Sequence, residues 1–98
     1  MTKLLLLLST FYQCDAAIAQ RTVSIPQLEL CMAAANELKA AFLTEGERSL
    51  GETLTASGQL TLLGYGYRRF KTWETEHEDL VRHLRWQARA RIRGDETV

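Results

Sequence analysis

The sequence predicts a small α+β fold: an N-terminal helix or apolar segment, a central helix, a small antiparallel β-hairpin or three-stranded sheet, and a C-terminal basic helix. Three observations predict it. Apolar residues recur at three- and four-residue steps over residues 25–44 and again from Leu80 to Ile92, the period of an amphipathic helix. Between those stretches, residues 52–71 read as short alternating segments broken by Ser57-Gly58 and Gly64-Tyr65-Gly66, the texture of strands and turns. The chain has 98 residues, 46% hydrophobic and 24% charged, with one proline and two cysteines. That is one ordinary globular domain, neither disordered nor a disulfide-stapled miniprotein. A chain so short buries only about 60–65% of its unfolded surface, so a partner would help it. An apolar segment, residues 1–20, precedes a single domain over 21–98.

The chain opens Met1-Thr2-Lys3 and continues with five leucines, Leu4 to Leu8. One reading is a secretory signal: a lone basic residue, an apolar core and an Ala17-Ile18-Ala19 cleavage site before Gln20. The rival is a folded helix with Leu4, Leu8, Phe11, Cys14 and Ile18 on one face. Leu5 and Leu6 fall off that stripe, so the helix is apolar on more than one side and needs a second surface, from this domain or a neighbouring subunit. The run is far short of the roughly 20 apolar residues that cross a bilayer.

Ser24-Ile25-Pro26-Gln27 starts the central helix. The serine and glutamine make a capping box, and proline is tolerated in a first turn. Leu28, Cys31, Ala35, Leu38 and Phe42 form its stripe, and Gly46 is the expected C-cap. Glu52 to Ala56 and Gln59 to Leu63 then alternate around a Ser57-Gly58 turn. Tyr67-Arg68-Arg69-Phe70-Lys71 resumes after Gly64-Tyr65-Gly66, where glycine marks a bulge or a close backbone approach. Thr75-Glu76-His77-Glu78 is a second capping box. Leu80, Leu84, Ala88 and Ile92, with Val81, face the core of the last helix, and Gly94 ends it.

The net charge is zero, 12 basic against 12 acidic residues, which excludes coating of nucleic acid through bulk charge. The charge is not evenly placed. Residues 1–67 carry 4 basic and 6 acidic side chains, and residues 68–98 carry 8 and 6. Arg82, Arg85, Arg89, Arg91 and Arg93 follow an acidic start to the last helix, the order its dipole favours. Five are more than the dipole needs. Arg68, Arg69, Arg82, Arg85, Trp86, Arg89 and Arg93, with Leu5 and Leu6, are the candidate partner-binding residues, since arginine and tryptophan suit protein interfaces and arginine also suits a phosphate backbone.

No catalytic, metal or cofactor site is legible. His77 and His83 are six apart and have no cysteine nearby, unlike a zinc site. The Gly-Tyr-Gly lacks the further glycine and the lysine of a phosphate loop. Cys14 and Cys31 fall on inward stripes and read as small core residues; in a secreted, uncleaved chain they could form one bridge.

Residues 28–93 resemble the small head–tail joining (connector) proteins of tailed bacteriophages. The resemblance is carried by the alanine-rich helix ending at Gly46, by Tyr65-Gly66-Tyr67-Arg68-Arg69-Phe70, and by the Thr75 helix with its arginine-rich tail. It implies a helix–hairpin–helix domain and a structural ring subunit without catalysis. A second, smaller likeness, Leu63-Gly64-Tyr65-Gly66 with Phe70, is similar to the Gly-Phe-Gly turn of HU-type DNA-binding proteins, but the basic arm that grips DNA is missing.

The expected function is therefore that of a non-enzymatic structural or interaction protein without a cofactor: a phage connector or virion-assembly subunit, homo-oligomeric or part of a larger assembly. The alternatives are a small inhibitor or adaptor of a host protein or protein–nucleic-acid complex, and a DNA-binding protein using the basic helix. The expected location is the host cytoplasm or the virion, or the periplasm or exterior if residues 1–19 are a cleaved signal. No membrane span is expected.

Overall fold

The computed structural model describes residues 2–20 and 23–97, except the side chains of Thr2 and residues 93–97. Among the described residues there are five helices and no strand: α1 (Thr2–Ala19), α2 (Ile25–Ala41), α3 (Glu45–Gly51), α4 (Ala56–Glu76) and α5 (Glu78–Thr97). The expected α+β fold, with its β-hairpin or three-stranded sheet, is overturned.

The physical reason lies in what the threonines do. Thr53 donates its hydroxyl to Leu50 O at 2.8 Å, and Thr55 accepts from Gly58 N at 3.3 Å as the N-cap of α4. The alternation of Glu52 to Ala56 is thus the join between two helices, and Ser57-Gly58 is the first turn of the next. Thr61, Thr72 and Thr75 each donate to the carbonyl four residues back, all at 3.2 Å, which lets a helix carry threonine. Leu62, Gly66, Phe70 and Glu74 are the buried residues of α4, and they recur every four positions, a helical stripe running through the supposed strands.

Three boundaries move with this. The central helix ends at Ala41 with Phe42 as its cap, and Gly46 lies inside α3. Thr75 lies inside α4, so the second capping box does not form. The backbone of α5 continues past Gly94 to Thr97. The Ser24 box stands: Ser24 N donates to Gln27 Oε1 at 2.9 Å and Gln27 N to Ser24 Oγ at 3.4 Å. A further box opens α3, with Thr44 N donating to Glu47 Oε1 at 2.8 Å and Glu47 N to Thr44 Oγ1 at 3.1 Å.

The four long helices close a cycle: α1 packs on α2, α2 on α4, α4 on α5, and α5 on α1, while α3 rests on α4. Inside the cycle lie Leu8 and Tyr12 of α1, Leu38 of α2, Phe70 of α4, and Val81, Leu84 and Ala88 of α5. Phe11, Phe42 and Trp73 pack around Phe70, with ring centroids 5.4, 5.7 and 6.5 Å from it. Two features bind the cycle. A disulfide joins Cys14 of α1 to Cys31 of α2 across a Cα–Cα distance of 5.6 Å. Gly66 meets the backbone of α2 so closely that a Cβ there would lie 2.0 Å from Lys39 O. The sequence offered a bulge or a close approach at this glycine; the close approach occurs, between helices.

Candidate functional site

The site grows from one carboxylate. Glu74 lies on the core stripe of α4, four residues after Phe70, and is only 8% exposed. Burying an ionised carboxylate is costly unless donors replace its water. Three do so, from three helices. Tyr12 of α1 donates its hydroxyl to Oε2 at 2.6 Å, Arg85 of α5 donates to the same oxygen at 3.2 Å, and Lys71 Nζ stands 2.6 Å from Oε1. The Arg85 guanidinium also sits 5.4 Å from the centre of the Tyr12 ring, a cation–π distance. Desolvation pushes the Glu74 carboxyl up, but Lys71, Tyr12 and Arg85 together outweigh it and hold it below the usual range. Tyr12 moves the other way: burial first, then its bond to the Glu74 carboxylate, raises its hydroxyl well above the ordinary tyrosine value.

Outside this cluster runs an open groove of about 500 Å³, lined by Lys71, Glu74, Thr75, Glu78, Val81, Arg82, Arg85 and Arg89. Four cations face two carboxylates there, an excess of two positive charges on a chain of net charge zero. The carboxylate at its floor is already engaged by Lys71 and Arg85. Arg82 makes a 3.2 Å pair with Asp79 that is exposed at both ends, a contact water competes with freely. Arg89 has no ion-pair partner among the described residues. Arg85 and Arg89 also border a second hollow of about 170 Å³ toward Tyr12, Asp15 and Ala16 of α1, so these two arginines form a ridge between two depressions.

The structure brings Arg82, Arg85 and Arg89 together, because residues three and four apart share a helix face. Trp86, 54% exposed, lies beside Arg82 and Arg89 by the same spacing and stacks on His83 at 6.3 Å. The other candidates go elsewhere. Arg69 is spent within the fold: its guanidinium takes both oxygens of Glu47, with Nη2 to Oε2 at 2.8 Å, and Nη1 reaches Phe42 O at 3.0 Å. That pairing pins α3 and the end of α2 to α4. Arg68 lies over the Tyr65 ring at 5.2 Å, on the outer face of α4. Leu5 and Leu6 are exposed on α1, Leu6 at 64%. The side chain of Arg93 falls outside the described residues.

Sequence reasoning missed Tyr12, Lys71 and Glu74. Tyr12 carries a usable signal, standing four residues after Leu8 on the inward side of α1. Glu74 reads in sequence as part of the acidic start of the last helix, and only the continuation of α4 through it reveals a core position.

Among the described residues no three His, Cys, Asp or Glu side chains come together as metal ligands, and no helix is long and apolar enough to cross a membrane. No protein-family model matches the chain, and neither a curated protein nor a solved structure matches it significantly.

Proposed function

We propose that the chain is a non-enzymatic interaction protein that holds an acidic segment of a protein partner in the α4–α5 groove. The observation that carries this reading is the row Arg82, Arg85 and Arg89 beside Lys71, in a groove whose deepest carboxylate is already engaged. Arg85 is preorganised by Glu74 and Tyr12, so it loses little freedom on meeting a ligand. Trp86 next to the arginines supplies the aromatic surface that anchors protein contacts. With Glu74 already paired, Glu78 is the carboxylate an anion must avoid; a peptide can space its acidic side chains around it, whereas a phosphate backbone, charged at every step, would meet it. The groove offers no nucleophile paired with a base: its one hydroxyl, on Thr75, donates to Lys71 O of its own helix.

An assembly subunit, a phage connector among them, is the second reading. The exposed apolar residues of α1 and α2 favour it: Leu6, Ile25 at 75% exposure and Leu30 at 71%. It predicts concentration-dependent oligomers in light scattering.

The groove is tested with a glutamate-rich peptide and a single-stranded oligonucleotide as probes, titrated at low and physiological salt. The peptide is expected to bind, and an R82E/R89E double variant, altered only at exposed positions, is expected to weaken it by at least tenfold. Unchanged affinity in that variant overturns the reading. Preference for the oligonucleotide, with affinity falling steeply as salt rises, overturns it in favour of nucleic-acid binding.

A further inference from the structure

We propose that the Cys14–Cys31 disulfide is a site of thiol–disulfide exchange, reduced in the folded protein by a protein dithiol, and that its state sets how firmly α1 is held against the Glu74 cluster. The inference is independent of what the groove binds.

Three observations carry it. The bridge lies outside the packed interior: neither cysteine belongs to the core cluster, and both are half-buried. Both line an open, mostly apolar depression of about 380 Å³, with Gln13, Ala17, Leu30 and Ile92 around it. Exchange needs an attacking thiolate to reach a sulfur, and that depression supplies the approach. The bridge also sits where its loss is felt. Cys14 is two residues from Tyr12, whose hydroxyl bonds to Glu74, and it adds a covalent tie between α1 and α2, which are otherwise held by their packing and by the short stretch between Ala19 and Ile25.

A thiolate of the dithiol attacks one of the two sulfurs, the Cys14–Cys31 bond breaks, and a mixed disulfide forms. The released cysteine leaves as a thiolate and takes a proton. The second thiol of the reductant then attacks the mixed disulfide and frees the other cysteine. Two electrons and two protons pass to Cys14 and Cys31, and the reductant departs as its own disulfide. Leu8, roughly one and a half turns from the bridge and fully buried, still holds α1 in the core after reduction, so the helix is loosened around Tyr12 and not released.

The test uses the full oxidised chain in native buffer. It is treated with dithiothreitol, and separately with a Cys-X-X-Cys protein in its reduced form, and thiols are trapped with iodoacetamide and counted by mass. Both cysteines are expected to be trapped without denaturant, at a rate that rises in proportion to reductant concentration. Tyrosine ionisation followed by absorbance is expected to show the Tyr12 step moving down toward the ordinary range on reduction, with Y12F identifying that step. A C14S/C31S variant is expected to show the same shift with no reductant present. Cysteines trapped only after denaturant is added overturn the proposed exchange. A Tyr12 step that stays where it was in the reduced protein overturns the coupling to α1. Both readouts are free of any partner, so they separate this inference from the groove's ligand.

Discussion

A carboxylate withdrawn from water, as Glu74 is, stays ionised only while donors stand in for the solvent it lost. Tyr12 is the donor that arrives from farthest away in the chain, 62 positions distant. Y12F keeps the ring in the core and removes only the hydroxyl. It is expected to cost about 2 kcal/mol in urea unfolding, the ordinary scale for a hydrogen bond to a charged group. The pH dependence has a definite sign on each side. Arg69 first, and then the Thr44 cap, draw the Glu47 carboxyl down from 4.5 to about 2, and Glu74 is lowered as well. Both contribute stability that is complete above the unfolded carboxylate value and is lost as pH falls through the folded one. Tyr12 is raised, so its contribution is complete below the unfolded tyrosine value of 10.0 and is lost as pH rises beyond it. Melting temperatures measured across pH are expected to fall from about pH 4.5 downward and again above pH 10, and Y12F is expected to blunt the alkaline limb.

Two glycines of α4 stand in opposite circumstances. At Gly66 an added Cβ runs into Lys39 O of α2, a backbone atom that moves only if the helix moves. G66A is expected to destabilise by about 3 kcal/mol or more, since overpacking against fixed backbone is not relieved by a rotamer change. At Gly64, two residues earlier, nothing lies within 4 Å of the same atom. G64A is expected to stabilise by roughly 0.5–1 kcal/mol, because alanine is the better helix residue. Denaturation midpoints of the pair check both signs. The same segment shows how much of the fold was legible. The helices of α1, α2 and α5 could be read because their apolar residues keep helical step and, for α2, Ser24 and Gln27 form the cap. The hairpin was misread because Thr53, Thr55 and Thr61 satisfy themselves on backbone groups, a use that leaves the same alternating trace as a strand. Of the site, the arginine face was visible from its spacing alone. The floor was not, since whether Glu74 opens a helix or lies inside one depends on where α4 stops.

The molecule as a whole is spread out for its size. Its radius of gyration is 14.7 Å, and its extents are 48 × 32 × 20 Å, against about 13 Å for a compact chain of this length. Four helices in a single cycle enclose a narrow core and leave much apolar surface outside, so the crosslink weighs heavily. Loss of the Cys14–Cys31 bond, which spans 17 positions, is expected to cost about 3 kcal/mol on chain-entropy grounds. Unfolding of C14S/C31S beside the oxidised chain measures it. The closure of the cycle by α1 against α5 also sets an order of events during synthesis. The leucines of α1 are made long before the helix that covers Leu8 and Tyr12, and chains form domains as they emerge at about 5–20 residues per second. For several seconds that helix has only α2 beside it, then Phe70 and Glu74 of α4 as well, while the cycle stays open. An early Cys14–Cys31 bond would shelter it during the wait, holding a helical hairpin ready for α5 to arrive.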